Sequence, residues 1–314
     1  MTASASSPPL GGVSRTTGIS SVAYVHLMMI YVIWGSTYLM VKICLHGAGH
    51  ILPLHIQFGR EGCGALILAS LALYRHGLPQ RLRWPDLVRC IGTGMLMWAG
   101  GNTLATSCAP YASSGFIVMS MGSIPLWCAL FDCVVSRTRP SMRVVGALLA
   151  GLGGLFMVVW PVLSGHGGIS GPHPVLVVMV LQLSAMTWSL GTVLQRPLAG
   201  RLAPEWTAAI QMACASCLLA FVLWVRGAPL PDYPAPAQIG AFVYLVIFGG
   251  VVAPASYVVV LRTFSPEIAS TFAYVNPVVG LLLGWAVLGE QPALLSIAGI
   301  VVVLGSVALI MRRS

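Results

Sequence analysis

The 314-residue sequence predicts an all-α polytopic membrane protein, with ten transmembrane helices arranged as two inverted five-helix repeats. Three observations carry that prediction. Only 7% of residues are charged and 57% are hydrophobic, with a mean hydropathy of +0.90, whereas soluble proteins carry about 25% charge. The apolar residues collect in runs of about 20, each long enough at about 1.5 Å per residue to cross a bilayer core of about 30 Å. Motifs recur once, in the same order, about half a chain apart, as internal duplication requires.

The elements follow in chain order. Residues 1–19 are rich in Ser, Thr, Gly and Pro and read as a disordered cytoplasmic tail; they lack the pattern of a cleavable signal, so the first span is expected to stay in the mature protein. That span, 20–44, carries Trp34-Gly35-Ser36-Thr37 and Tyr38. The second, 50–74, holds Arg60 and Glu61 near its middle. The third, 87–108, contains Asn102 and Thr103, and the fourth, 112–135, contains Ser120, Ser123 and Pro125-Leu126-Trp127. Gly146 to Gly151 mark the fifth, 143–162.

The second half repeats this plan. Its first span, 174–194, has Gln182 and a Trp188-Ser189-Leu190-Gly191-Thr192 run that matches the Trp34 motif. Spans 204–225 and 237–261 follow. The span at 267–289 carries Tyr274, Asn276 and Pro277 at the level of Pro125, and the last, 293–311, has Gly299 to Gly305 where the fifth has its glycines. The expected domains are therefore 20–165 and 174–314. Pro277 lies mid-span, where it removes one backbone bond and frees the carbonyl of Ala273. In hydrocarbon such a group needs neighbouring protein or a wet cavity, and broken helices at midplane point to a transport site.

Orientation comes from the basic residues. Thirteen of them (Arg15, Arg75, Arg81, Arg83, Arg89, Arg137, Arg139, Arg143, Arg196, Arg201, Arg262, Arg312 and Arg313) fall on the side that holds the N-terminus, and only Lys42 and Arg226 on the other. The positive-inside rule then places both termini in the cytoplasm. Each half has an odd number of spans, so the second half must insert upside down relative to the first. The net charge of +9 is thus a topology signal and implies no nucleic-acid partner.

The chemistry-bearing residues are few. A chain whose single Lys is Lys42 has no GxxxxGK[ST] phosphate loop, which excludes ATP-driven pumping. The eight cysteines lie in or beside spans as small hydrophobes, and Cys214-x-x-Cys217 lacks a second cluster, so neither disulfides, a metal nor another cofactor is expected. Arg60 and Glu61 would each cost about 2.5–3.5 kcal/mol facing lipid at midplane, so they must face protein or water. Arg60 reads as a packing or gating charge and Glu61 as a proton-responsive carboxylate. Trp34, Thr37, Tyr38, Asn102, Ser120, Ser123, Gln182, Trp188, Tyr274 and Asn276 add polar and aromatic groups at membrane depth. Together they suit a cavity for a small amphipathic or zwitterionic solute, with Pro125 and Pro277 as gating elements.

Those motifs, in that order and in both halves, make the chain from residue 20 to 311 resemble the ten-span drug/metabolite transporters with two EamA domains. The resemblance implies a secondary transporter of the bacterial inner membrane that exports amino acids, other metabolites or toxic compounds by alternating access, with membrane lipids, the solute and protons as partners. One residue departs from the pattern. An apolar residue, often Phe, follows the arginine of the second span in the family, whereas Glu61 does here. A membrane-embedded enzyme acting on a lipid or isoprenoid is the alternative; against it stand the missing nucleophile, base or metal set and the repeat.

Overall fold

The structure, a computed structural model, describes residues 21–47, 50–79, 82–137, 142–165, 168–170, 172–198, 201–232, 234–264 and 272–311. The expected tail at 1–19 and the expected start of the ninth span lie outside the described residues, as do Arg81, Arg139, Arg312 and Arg313. The described residues form no strand, a short 3₁₀ turn at Arg196–Leu198 and ten long helical segments. They are α1 (Ser21–Leu45), α2 (Pro53–His76), α3 (Trp84–Gly94, Met95–Asn102 and Thr103–Ser107), α4 (Ser114–Met121 and Ile124–Val135), α5 (Met142–Leu163), α6 (Pro174–Leu194), α7 (Pro204–Val225), α8 (Pro236–Tyr244, Leu245–Val252 and Ala253–Thr263), α9 (Phe272–Leu288) and α10 (Leu294–Met311). Five of these stretches are by themselves long and apolar enough to cross a membrane. The protein is an all-α polytopic membrane protein.

Local chemistry sets the helix ends. Pro53, Pro174, Pro204 and Pro236 open α2, α6, α7 and α8 at the first helical position, where the missing N–H costs nothing. Ser113 caps α4, its hydroxyl accepting from the Phe116 amide at 3.2 Å. Gly77 closes α2 at φ 67°, a conformation that favours glycine.

Among the described residues two helices contain a π turn, and the one in α8 ends just ahead of Pro254. Met95–Asn102 in α3 and Leu245–Val252 in α8 are each wound one residue wider than an α-helix, and each contains a glycine pair, Gly100-Gly101 and Gly249-Gly250. α4 is interrupted at Gly122-Ser123, just before Pro125. α9 differs, since it runs as one helix through Pro277.

Helices pack in pairs. α5 lies along α10, α2 along α7, and α4 along the far part of α9. α1 packs on α9 and α8 as α6 packs on α4 and α3, and α2 meets α8 as α7 meets α3. Exchanging each helix for its counterpart five positions on leaves these principal pairings unchanged. At the α5–α10 crossing the backbones nearly touch, because a Cβ on Gly299 would lie 2.6 Å from the Gly154 carbonyl oxygen. Large apolar side chains such as Leu149, Phe156, Val175, Leu294 and Val301 stay exposed on the outside of the bundle, as a lipid solvent allows.

Candidate functional site

The middle of α2 turns a polar face into the bundle. Gln57, Arg60 and Glu61 stand at i, i+3 and i+4, a spacing that places them on one helix side, and they are 0%, 3% and 0% exposed. Gln57 Nε2 donates to the Asn102 carbonyl at 3.2 Å and to Thr106 Oγ1. Asn102 Nδ2 in turn donates to Glu61 Oε1 at 3.4 Å. The two charges diverge. Glu61 meets Asn102, the last residue of the α3 π turn, while Arg60 backs onto the α8 π turn, where a Cβ on Gly249 would lie 3.4 Å from Arg60 Nη2. They form no ion pair with one another; the described ion pairs lie at helix ends, among them Arg201–Asp86 at 2.8 Å, Arg75–Glu205 at 3.4 Å and Arg196–Asp132.

A π turn leaves carbonyls out of line with the helix ladder, and in α3 side chains meet three of them, those of Trp98, Gly101 and Asn102. Thr103 Oγ1 donates to the first and Gln57 to the last. Ser184 Oγ of α6 donates to the Gly101 carbonyl in the α3 π turn. Beside the α8 π turn, Ser36 Oγ and Tyr244 Oη share a hydrogen bond of 2.8 Å. Such turns recur at functional sites because they shift one helix face by a residue without ending the helix.

A second polar group lies between α4 and α6. At the α4 interruption Ser123 Oγ donates to the Ser120 carbonyl at 2.7 Å and lies 3.2 Å from Gln182 Oε1, which also accepts from Trp127 Nε1 at 3.2 Å. Ser120 itself is buried. The Ile124 carbonyl just past the interruption accepts from Ser189 Oγ at 2.9 Å.

Trp34 and Trp188 pack in separate aromatic groups. Trp34 packs against Phe272 and Tyr257, with ring centroids 5.0 and 5.5 Å apart, tying α1 to α9 and α8. Trp188 makes an edge-to-face contact of 5.5 Å with Trp98 of α3. Thr37 spends its hydroxyl hydrogen on the Ile33 carbonyl at 3.1 Å within α1, and Tyr38 packs half-buried against the main apolar core. Tyr274 lies on α9 with its side chain outside the described residues.

Among the described residues, six buried side-chain atoms have no protein partner: Gln57 Oε1, Arg60 Nε and Nη1, Glu61 Oε2, Gln182 Nε2 and Asn276 Oδ1. Five of the six belong to residues singled out from sequence. Gln57 was missed, although its place on the Arg60-Glu61 face was legible from spacing alone. The paired glycines, 149 residues apart, were the missed signal for the π turns. Among the described residues no three His, Cys, Asp or Glu side chains converge as metal ligands.

The bacterial protein "Uncharacterized inner membrane transporter YedA" of Escherichia coli strain K12 is 30% identical over 268 residues, covering 84% of this chain and 82% of its own length. The model of the EamA-like transporter family matches residues 175–312. The chain belongs to the EamA-like transporter family. "Uncharacterized transporter YvbV" of Bacillus subtilis strain 168 is 22% identical over 291 residues, covering 92% of this chain and 91% of that protein. A solved crystal structure of a protein 20% identical superposes with a TM-score of 0.65 over 93% of this chain and 98% of the other, a likeness of fold. In this EamA-like transporter, α2 thus sets Arg60 and Glu61, which share no ion pair, between two π turns, with one unpartnered amide atom each on Gln182 of α6 and Asn276 of α9.

Proposed function

We propose that the protein is a secondary transporter of the bacterial inner membrane that exports a small metabolite, an amino acid or an amphipathic or toxic compound, by alternating access between two inverted five-helix repeats. The observation that carries this reading is the set of six buried polar atoms without protein partners on α2, α6 and α9. Leaving such groups unsatisfied costs about 1–3 kcal/mol each, and more for charges, so a chain retains them where a polar solute meets them. Arg60 Nε and Nη1 suit a carboxylate, and Glu61 Oε2 and Gln57 Oε1 suit a donor such as an ammonium group or a proton. Trp34 and Trp188 supply apolar walls.

The exchange symmetry of the helix pairings and the matched π turns support the repeat, and the Arg asymmetry supports a cytoplasmic N- and C-terminus. The name of the YedA protein supports the inner membrane. Export runs on the proton gradient through Glu61 or on the gradient of the solute itself, and the Glu61 variant described in the Discussion separates these. The test begins with tolerance of deletion and overexpression strains to a panel of amino acids and toxic analogues. It continues with flux of the responding solute in proteoliposomes. Transport of that solute that is lost in Arg60→Leu and Asn276→Leu variants is the expected result. Chemical conversion of a lipid without any solute flux would overturn the reading in favour of an enzyme.

A further inference from the structure

Among the described residues, α4 packs on α9 chiefly through its first half, residues 114–122. Three contacts mark that half. A Cβ on Gly115 would lie 3.3 Å from Leu281, one on Gly280 would lie 2.8 Å from Val118, and one on Gly122 would lie 3.4 Å from Pro277. Past Pro277 they part. The Ile124–Val135 stretch of α4 goes with α6 through Trp127–Gln182 and Ser189–Ile124, whereas Phe272 at the start of α9 goes with Trp34 and Tyr257.

The rest of the bundle divides at the same level. On the side where α4 begins, one apolar core joins α1, α2, α3, α4, α5, α6, α8 and α10, reaching past the α4 interruption only to Leu126. On the other side it gives way to two separate clusters, one around Met212 and Leu68 on α2, α3 and α7, the other around Leu27 and Val260 on α1 and α8. α1 also packs on Ser114–Met121, and α2 on Thr103–Ser107, at the joined side; the counterpart pairs, α6 with α9 and α7 with α8, show no packing of that extent among the described residues.

At the joined end stands Glu290. Its Oε1 accepts from the Ser114 amide at 2.7 Å, and its Oε2 accepts from Ser114 Oγ at 2.7 Å and from the Gly115 amide at 3.0 Å. These are charge-assisted bonds at the start of a helix, where amides are free and the dipole favours an anion. The surrounding chain is shaped for the contact. Gly289, at φ 67°, turns the backbone so that the Glu290 amide donates back to the Gly284 carbonyl at 3.2 Å. A Cβ at Gly284 would come within 2.5 Å of Glu290 Oε2, so the glycine leaves the carboxylate its path to α4. Pro125 and Pro277 set the register of the two halves, and in that register Glu290 corresponds to Thr138, which is no carboxylate.

We propose that Glu290 is the latch that holds the transporter closed on its own face, and that the structure is the state divided toward the opposite, Arg-rich face. The inference rests on the transporter reading and on the orientation drawn from the arginines. With that orientation the latch closes the outer mouth, and the carrier rests facing the cytoplasm, where an exporter collects its solute. Every turnover breaks the three bonds from Ser114 and Gly115.

Accessibility tests this without needing the solute. On a cysteine-free background, Val118→Cys reports the closed half of the α4–α9 contact and Phe131→Cys the divided half. Glu290→Gln keeps the volume but turns one oxygen into a donor facing another donor. The expected result is maleimide labelling of Val118→Cys at least about tenfold faster in Glu290→Gln, with Phe131→Cys labelled more slowly. Should that variant fail to fold, Ser114→Ala removes one of the three donors and is expected to speed Val118→Cys about threefold. Unchanged labelling in the folded variant overturns the latch. So does equal acceleration of both probes, which reports a loosened bundle. A chain that moves none of the solutes tried still reports on the latch, so failure of the transport reading is separately visible.

Discussion

Replacing Glu61 by Gln separates a coupling role from a structural one, because the geometry assigns different costs to the two. Glu61 is fully buried, its Oε1 accepts one long bond of 3.4 Å from Asn102, and its Oε2 has no protein partner. Gln retains an oxygen for Asn102 and adds a donor on the free side. The lost term is the difference between a charged and a neutral hydrogen bond, about 1 kcal/mol. If Glu61 instead neutralised Arg60 as a buried pair, removing it would cost about 3–5 kcal/mol. Arg60 points away toward Gly249, and no Arg60–Glu61 ion pair forms, so the smaller figure is expected. In detergent this is a melting shift of no more than about 4 °C. In proteoliposomes Glu61→Gln is expected to keep solute exchange and lose accumulation driven by an imposed pH gradient. A fall in melting temperature beyond about 10 °C, recovered by adding Arg60→Leu, would refute the reasoning. A stable variant that is still fully pH-driven would refute it from the other side.

Four further outcomes are expected. Asn276→Leu removes an unpartnered buried carbonyl, so it should cut flux at least about tenfold while expression holds; undiminished flux would return Asn276 to packing. Pro125→Ala should slow transport by letting α4 close over Gly122-Ser123, whereas Pro277→Ala, in a helix already continuous, should slow it less; the ratio of the two rates checks this. Gly299→Ala places a Cβ against backbone of α5 and should cost about 1–3 kcal/mol, read as a lower melting temperature with activity per folded molecule retained. Cysteines in the loop around Arg81 and after Arg137 should react with impermeant reagents only from the cytoplasmic side, and labelling from outside intact cells would reverse the orientation.

Much of the fold was legible in the sequence because hydropathy is a local, additive property. Ten apolar runs predicted ten helical segments, and the segments fall within a few residues of the expected spans, for instance Pro204–Val225 for 204–225. The inward place of Arg60 and Glu61 was equally legible, since lipid makes an exposed midplane charge too costly. The site residues themselves were named by type, as polar or aromatic groups at membrane depth.

What each of them touches came only with the tertiary structure. Prolines were expected to mark the breaks, yet α9 runs through Pro277 while α3 and α8 widen into π turns at glycine pairs. A π turn is stabilised by what packs against it, here Ser184 on Gly101 and Arg60 beside Gly249, and those partners are far away in sequence. Thr37 shares a helix face with Trp34 but satisfies its hydroxyl within its own helix, a choice that depends on rotamer and neighbours. Glu290 was visible as one acid after a glycine-rich span, but its three donors lie about 175 residues earlier in the chain. Sequence determined which groups are too costly to leave in lipid. Packing between distant helices decided which of those groups meet a protein partner and which are left for something else to bind.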